Sequence, residues 1–171
     1  ATMLGMGMVL VLGGRLCLAG GTAGDGIDVI PRPVSVERLE GAFRITPSTR
    51  LLAKGDAAAE AKKLAEALAP AMGTSLELTA SLRPGERAIT LKLDDSLSTL
   101  GAEGYELRVT PERIAIVAAR SAGLFYGIQT LRQLLPATVF RRTKADEEMW
   151  DVPCVNVTDH PRFAWRGLLV D

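Results

Sequence analysis

The residues able to do chemistry are few and scattered. The single histidine, His160, stands between Asp159 and Pro161, and an adjacent Asp-His pair invites comparison with an acid–base dyad. Neighbours on an extended chain point to opposite faces, so the two are badly placed to share a proton and His160 reads as a linker residue. Asp94 and Asp95 could pass as paired carboxylates, but they follow an alternating strand and precede Ser96, the composition of a solvated turn. Two distant cysteines, Cys17 and Cys154, and one histidine give no ligand spacing, so neither a metal nor a cofactor is expected. Gly101, Gly104, Gly123 and Gly127 lack the Gly-Lys-Ser/Thr signature of a phosphate loop. Asn156-Val157-Thr158 is a glycosylation sequon, of consequence only in a eukaryotic secretory pathway. Arg166 offers a planar fork of donors to two neighbouring oxygens, but one arginine is no motif. From residue type alone, pairing with a carboxylate is its simpler role.

The composition narrows the classes. A length of 171 residues suits one ordinary domain and is too short for a domain plus a large barrel. Lys+Arg and Asp+Glu are both 20, so no net charge favours nucleic acid or an anionic membrane. Apolar residues at 47% with charged ones at 23% describe a folded globular chain, and aromatics at 5% weaken any base-stacking or sugar-platform role. Of the 40 charged residues only Arg15 falls within 1–24, a stretch that also holds seven of the 17 glycines and three of the five methionines. The apolar run Met3–Leu12 is too short to span a bilayer, and Gly21-Thr22-Ala23 supplies small residues for a signal peptidase. The expectation is an export signal over 1–24, cleaved near Ala23, although no basic residue precedes the apolar run. Arg15 and Leu16 argue against lipidation of Cys17, and removing the leader leaves Cys154 unpaired.

The elements that must position any site follow from periodicity. Gly26 to Pro33 is extended and proline-punctuated, and Ala42–Ile45 and Arg50–Ala53 are short strand candidates around a Thr-Pro-Ser turn. Asp56–Met72 predicts a helix whose buried stripe is Ala57, Ala61, Leu64, Ala65, Leu68 and Met72, with Glu60, Lys62, Lys63 and Glu66 mostly outside it and Gly73 as its stop. Ile89, Leu91 and Leu93 mark a strand; Tyr105, Leu107 and Val109 mark another, joined by Thr110-Pro111-Glu112 to Arg113–Ala118 as a hairpin. A second helix is predicted from Ser121 as N-cap, with Leu124, Ile128, Leu131 and Leu135 buried and Pro136 ending it. Arg141, Arg142, Lys144, Glu147 and Glu148 form a polar connection. The expected fold is α+β, an antiparallel (mixed) sheet with two helices packed on one face.

The final residues, Phe163-Ala164-Trp165-Arg166-Gly167-Leu168-Leu169-Val170-Asp171, read as a near-continuous apolar strand of the kind buried on both faces. At about 25 cal/mol per Å2 of apolar area, leaving it without neighbours forgoes several kcal/mol. The chain therefore reads as a fragment reaching the first strand of another domain.

Two segments resemble one family. Ser121-Ala122-Gly123-Leu124-Phe125-Tyr126-Gly127-Ile128-Gln129-Thr130-Leu131-Arg132-Gln133-Leu134-Leu135-Pro136 is similar to the second helix of the N-terminal domain of family 20 glycoside hydrolases, the β-N-acetylhexosaminidases. Asp159-His160-Pro161-Arg162-Phe163 and the residues to Asp171 resemble the start of that family's catalytic (β/α)8 barrel. Ile30-Pro31-Arg32-Pro33 and Glu103-Gly104-Tyr105 fit the same pattern, so the resemblance runs from about Ile27 to Asp171. It implies an N-terminal domain over 27–158 and a truncated barrel start over 159–171. The implied activity is exo-acting removal of terminal β-linked N-acetylglucosamine or N-acetylgalactosamine, with the substrate's own acetamido oxygen as nucleophile and retention of configuration. The protein's Asp-Glu pair, acetamido orienter and general acid/base, belongs further along such a barrel and has no counterpart in this chain, which is expected to be inactive alone. The resemblance carries Arg166 over as a contact to ring hydroxyls of the terminal sugar, and Asp171 as a support for that site. It implies glycans ending in N-acetylhexosamine as partners and no cofactor, and leaves a homodimer of the whole enzyme open; the export signal over 1–24 places the protein in the periplasm or outside the cell, or in the lysosome of a eukaryote.

A second reading is a standalone exported binding module with the same fold and no catalysis. The apolar run Leu168–Val170 opposes it. Size-exclusion chromatography separates the two: an orphaned barrel strand is expected to drive association of the 171-residue chain, whereas a self-contained module elutes as a monomer.

Overall fold

The computed structural model describes residues 27–144 and 149–163. The expected export signal over 1–24, and the expected barrel strand with Arg166 and Asp171, lie outside the described residues. Those described form β1 (Ser35–Ile45), β2 (Arg50–Ala53), α1 (Ala57–Met72), β3 (Glu77–Thr79), β4 (Ala88–Leu93), β5 (Tyr105–Val109), β6 (Arg113–Ala118), α2 (Ser121–Leu134) and β7 (Trp150–Asp159). Short 3-10 turns occupy Asp95–Leu100 and Ala137–Phe140.

Two-residue alternation builds the middle of the sheet. Tyr105, Leu107 and Val109 are buried while Glu106 and Arg108 are exposed. Leu107 stands opposite Ile116 of β6 on one side and Val157 of β7 on the other, so one apolar row crosses three strands. The hairpin between β5 and β6 is closed by Thr110, whose N–H donates to the Arg113 carbonyl at 2.9 Å. The seven strands run in the order β1-β7-β5-β6-β4-β2-β3. Pairings of β1, β7, β5 and β6 are antiparallel, and those of β6, β4, β2 and β3 are parallel. The sheet is thus mixed, with α1 linking the parallel neighbours β2 and β3.

Both helices lie on the same face, and the core is the layer between them and the sheet. The predicted stripe of α1 is buried throughout, and Gly73 ends the helix in the left-handed region at φ 69°, its N–H donating to the Ala69 carbonyl at 2.9 Å. Glu60 was expected outside this stripe and is instead buried. It sits between Ala57, three residues before it, and Leu64, four after it, so an apolar face more than 100° wide takes it in. Lys63 Nζ answers it at 2.7 Å on Oε1, while Oε2 has no hydrogen-bond partner.

Helix α2 departs from its expected start. Ser121 is the first helical residue rather than the N-cap; Arg120 holds the cap position with φ −138° and ψ 160°, and no side chain caps the end. Ala119 and Arg120 alone link the strand to the helix, so the cap position falls on Arg120 and Ser121 is already helical. Leu135 is extended at ψ 152°, as the proline that follows requires. Further strands escaped the pattern reading. In β7, Trp150, Val152 and Cys154 are buried in one phase and Val155 and Val157 in the other. The change of phase faces an irregularity in β1 between Arg38 and Ala42, where Gly41 adopts φ 95°.

The close seat of α2 is made by glycine. A Cβ at Gly123 would lie 2.2 Å from the Gly104 carbonyl oxygen and 2.7 Å from Ala118 Cβ; one at Gly127 would lie 2.5 Å from Ile116 Cγ2. Backbone cannot step aside as a methyl can. Gly123→Ala is therefore expected to destabilise the fold by about 1–3 kcal/mol or more, and Gly127→Ala by less, read as urea midpoints at unchanged slope.

Candidate functional site

Residues 29–34, ahead of β1, and residues 159–163, at and beyond the end of β7, line one groove of about 480 Å3 together with β5 and α2. A second hollow of about 540 Å3 is shared by Arg32, Pro33, Val34, His160 and Arg162. The N-terminal segment and the exit of β7 therefore face each other.

The wall of the groove towards the core is set by Tyr105 and Thr130. Tyr105 is 2% exposed, and its hydroxyl lies 2.5 Å from Thr130 Oγ1. Burial pushes the Tyr105 hydroxyl up to about 12; the Thr130 hydrogen bond opposes this and the Asp159 carboxylate adds to it. Tyr105 is also the register partner of Asp159 on β7. Asp159 Oδ1 accepts the Val34 N–H at 3.1 Å. On α2, Gln133 Oε1 accepts the Ile30 N–H at 2.9 Å while its Nε2 donates to the Ile30 carbonyl at 3.0 Å. Tyr126 also lines the groove, its ring edge-on to Phe125 with centroids 5.4 Å apart. Large apolar side chains are left in the open around this site: Ile30 is 81% exposed, Phe163 70% and Val34 54%. Apolar surface clustered at a groove marks a place where something docks.

The arrangement offers hydrogen-bonding and aromatic surface, without a nucleophile and base in contact. His160 Nδ1 faces the Pro161 carbonyl at 3.3 Å, and no hydrogen bond joins it to Asp159. Asp94 caps the 3-10 turn, accepting the Ser96 N–H at 3.1 Å and Lys92 Nζ at 2.6 Å; these bonds hold its carboxyl well below the usual carboxylate range, as a turn aspartate rather than an acid catalyst. Cys154 is free and buried, and burial pushes its thiol up, with Glu112 adding to the shift, so little reactive thiolate is present. Asn156 lies mid-strand in β7, and its Nδ2 donates to Glu37 Oε2 at 2.9 Å, so the sequon falls on a paired strand rather than a loop. Among the described residues no group of three or more His, Cys, Asp or Glu could hold a metal, and no helix is long and apolar enough to cross a membrane.

Arg166 and Asp171, the two expected site residues, lie outside the described residues. Of the residues that build the groove, Asp159 was weighed only as a dyad partner of His160, and Tyr105, Thr130 and Gln133 were not singled out as site residues. The available signals were Thr130, a hydroxyl interrupting the apolar stripe of α2, and Tyr105, the one phenol in an aliphatic strand. Their partners are 25 and more residues away, beyond the reach of any local pattern.

Comparison with known proteins gives the class. The model of glycosyl hydrolase family 20, domain 2, matches residues 26–160. A β-hexosaminidase of Porphyromonas gingivalis is 34% identical over 150 residues, covering 85% of this chain and 19% of that protein. A β-N-acetylhexosaminidase of Cellulomonas fimi is 33% identical over 150 residues, covering 85% of this chain and 28% of that one. The solved family 20 β-N-acetylhexosaminidase of Streptomyces coelicolor is 38% identical with a TM-score of 0.73, covering 81% of this chain and 27% of that one. The fold is that of domain 2 of these glycoside hydrolases. This chain belongs to glycosyl hydrolase family 20, and it spans between a fifth and three-tenths of the length of these relatives.

Ionisation of Tyr105 gives the groove a pH signature. The unfolded phenol ionises near its ordinary 10.0 and the folded one near 12. The associated stability is fully present below pH 10 and is lost as pH rises through 12. Urea midpoints are expected to fall over that window in the wild type, and Tyr105→Phe is expected to flatten that part of the fall. The variant also leaves Thr130 unpaired, at a cost of about 1–3 kcal/mol at neutral pH.

Proposed function

We propose that this chain is the N-terminal part of an exported, exo-acting β-N-acetylhexosaminidase that removes terminal β-linked N-acetylglucosamine or N-acetylgalactosamine with retention of configuration. The observation that carries this reading is the match to domain 2 of the family over residues 26–160, together with relatives several times longer than the chain. A Streptomyces plicatus β-hexosaminidase, 38% identical, has been solved with GlcNAc as product, which supports an N-acetylhexosamine substrate.

The division of labour follows from the chemistry. The substrate's acetamido oxygen attacks the anomeric carbon, an aspartate orients that group, and a glutamate donates and then takes the proton. The groove described above holds no such pair in contact, so the N-terminal domain serves as scaffold and the Asp-Glu pair is assigned to a barrel following it. Arg166 then contacts ring hydroxyls of the terminal sugar, where its planar fork can serve two adjacent oxygens, and Asp171 supports the site.

The reading is tested by sequencing the coding region past the Asp171 codon and assaying both products. The frame is expected to stay open for roughly two further domain lengths and to encode an Asp-Glu pair. The longer protein should cleave p-nitrophenyl N-acetyl-β-glucosaminide, and the 171-residue chain should not. Arg166→Ala in the longer protein is expected to raise KM about tenfold or more, the scale of a lost charge-assisted hydrogen bond. A stop codon directly after Asp171, or no hydrolysis by the longer protein, would overturn the proposal.

A further inference from the structure

We propose that residues 30–34 form a strap that opens and closes over the groove as one unit, latched at one end by Gln133 and at the other by Asp159. It needs nothing from the hexosaminidase reading.

The strap is bounded by two fixed points. Before it, Val29 is buried; after it, Ser35 enters β1 opposite Thr158 of β7. Between these points the chain makes no backbone–backbone hydrogen bond among the described residues. Its hydrogen bonds to the rest of the fold go there to two side chains. Gln133 Oε1 accepts the Ile30 N–H at 2.9 Å, and Gln133 Nε2 donates to the Ile30 carbonyl at 3.0 Å. Asp159 Oδ1 accepts the Val34 N–H at 3.1 Å. Apolar burial adds one peg, Pro33, while Ile30, Pro31, Arg32 and Val34 stand exposed. Few buried contacts and water-exposed hydrogen bonds mark a segment that opens before the fold does.

The strap is also stiff. The rings of Pro31 and Pro33 fix φ, and the residues before them, Ile30 and Arg32, are confined to extended backbone. Four consecutive residues thus have little freedom to bend. Release at one latch is carried to the other rather than absorbed between them, and the chain hinges beside Val29 and Ser35.

Opening changes the groove. Ile30, Arg32 and Val34 line it, and so do Gln133 and Asp159. Closed, the amide and the carboxylate are engaged by the strap's own backbone. Open, both are released to a groove that has lost part of one wall. A ligand with hydrogen-bonding groups for Gln133 and Asp159 therefore competes with the strap and binds the open form.

Amide exchange of the 171-residue chain tests the strap. In the wild type, Ile30 and Val34 are expected to exchange about tenfold or more faster than the amides of β5 and β6, each relative to its unprotected rate, and with little dependence on urea. Gln133→Ala is expected to remove protection at Ile30 and to speed Val34, whose own acceptor is untouched, about fivefold. Asp159→Ala is expected to do the converse, speeding Ile30 about fivefold. Alanine suits a helix surface, so Gln133→Ala should keep the fold, and unchanged β5 and β6 amides check this in each variant. A variant in which β5 and β6 also speed up has lost the fold, and the wild-type profile and the other variant then decide. Ile30 and Val34 amides that exchange only together with β5 and β6, or variants that each speed only their own amide, overturn the proposal.

Discussion

Helix α2 meets the sheet through glycine, and the groove depends on that contact. With only hydrogen at Gly123, the helix backbone lies against the Gly104 carbonyl; with only hydrogen at Gly127, it lies against Ile116 and the Tyr105 ring, whose Cδ2 would be 3.2 Å from an added Cβ. Thr130 follows Gly127 by three residues, on the neighbouring turn, and at this separation its hydroxyl meets that of Tyr105. Gln133, three residues further on, reaches Ile30. A helix held off by even one methyl would carry both polar residues away from their partners. The same approach that packs the core therefore sets the hydrogen bonds at its rim.

The core and the exposed positions are held by different physics. The core is closed by aliphatic and aromatic side chains, among them Trp150, Tyr105, Phe43 and Ile114, all 2% exposed or less. Exposed and half-exposed positions carry charge pairs, such as Arg44 Nε with Asp151 Oδ1 at 2.7 Å and Lys92 with Asp94 at 2.6 Å, and Arg50 beside Glu77 and Glu86. Pairs this exposed contribute little to stability in water. Charge at exposed positions makes strand edges unattractive to one another, a role reinforced at the edge strand β1 by its irregularity at Gly41.

Local periodicity carried the reading of the fold where one element buries one face. β4, β5, β6 and both helices satisfy that condition, and their stripes were legible in the sequence. β7 fails it, because its buried phase changes between Cys154 and Val155 opposite the β1 irregularity. β3 is three residues long and has no period to detect. Glu60 is polar at a position that the helix geometry buries, so residue type misled where angle would have served. The groove was least legible, since the hydrogen bonds that join its walls link residues distant in sequence, and only the folded topology brings Ile30 to Gln133 and Val34 to Asp159. The family resemblance, by contrast, was carried by contiguous segments, which is why it was readable while the geometry it implies was not.

The groove divides its work between two kinds of interaction. Two of its polar residues are engaged in geometry: Asp159 holds a backbone amide and His160 faces a backbone carbonyl. Beside them stands a rim of exposed Ile30, Val34 and Phe163 at the point where the chain leaves the sheet. An apolar rim gains free energy by covering itself in proportion to area, whatever covers it, and so supplies adhesion without direction. Hydrogen bonds from Gln133 and Asp159 supply the direction and contribute little adhesion. A surface that combines the two both gains from being covered and limits the orientation in which it can be covered.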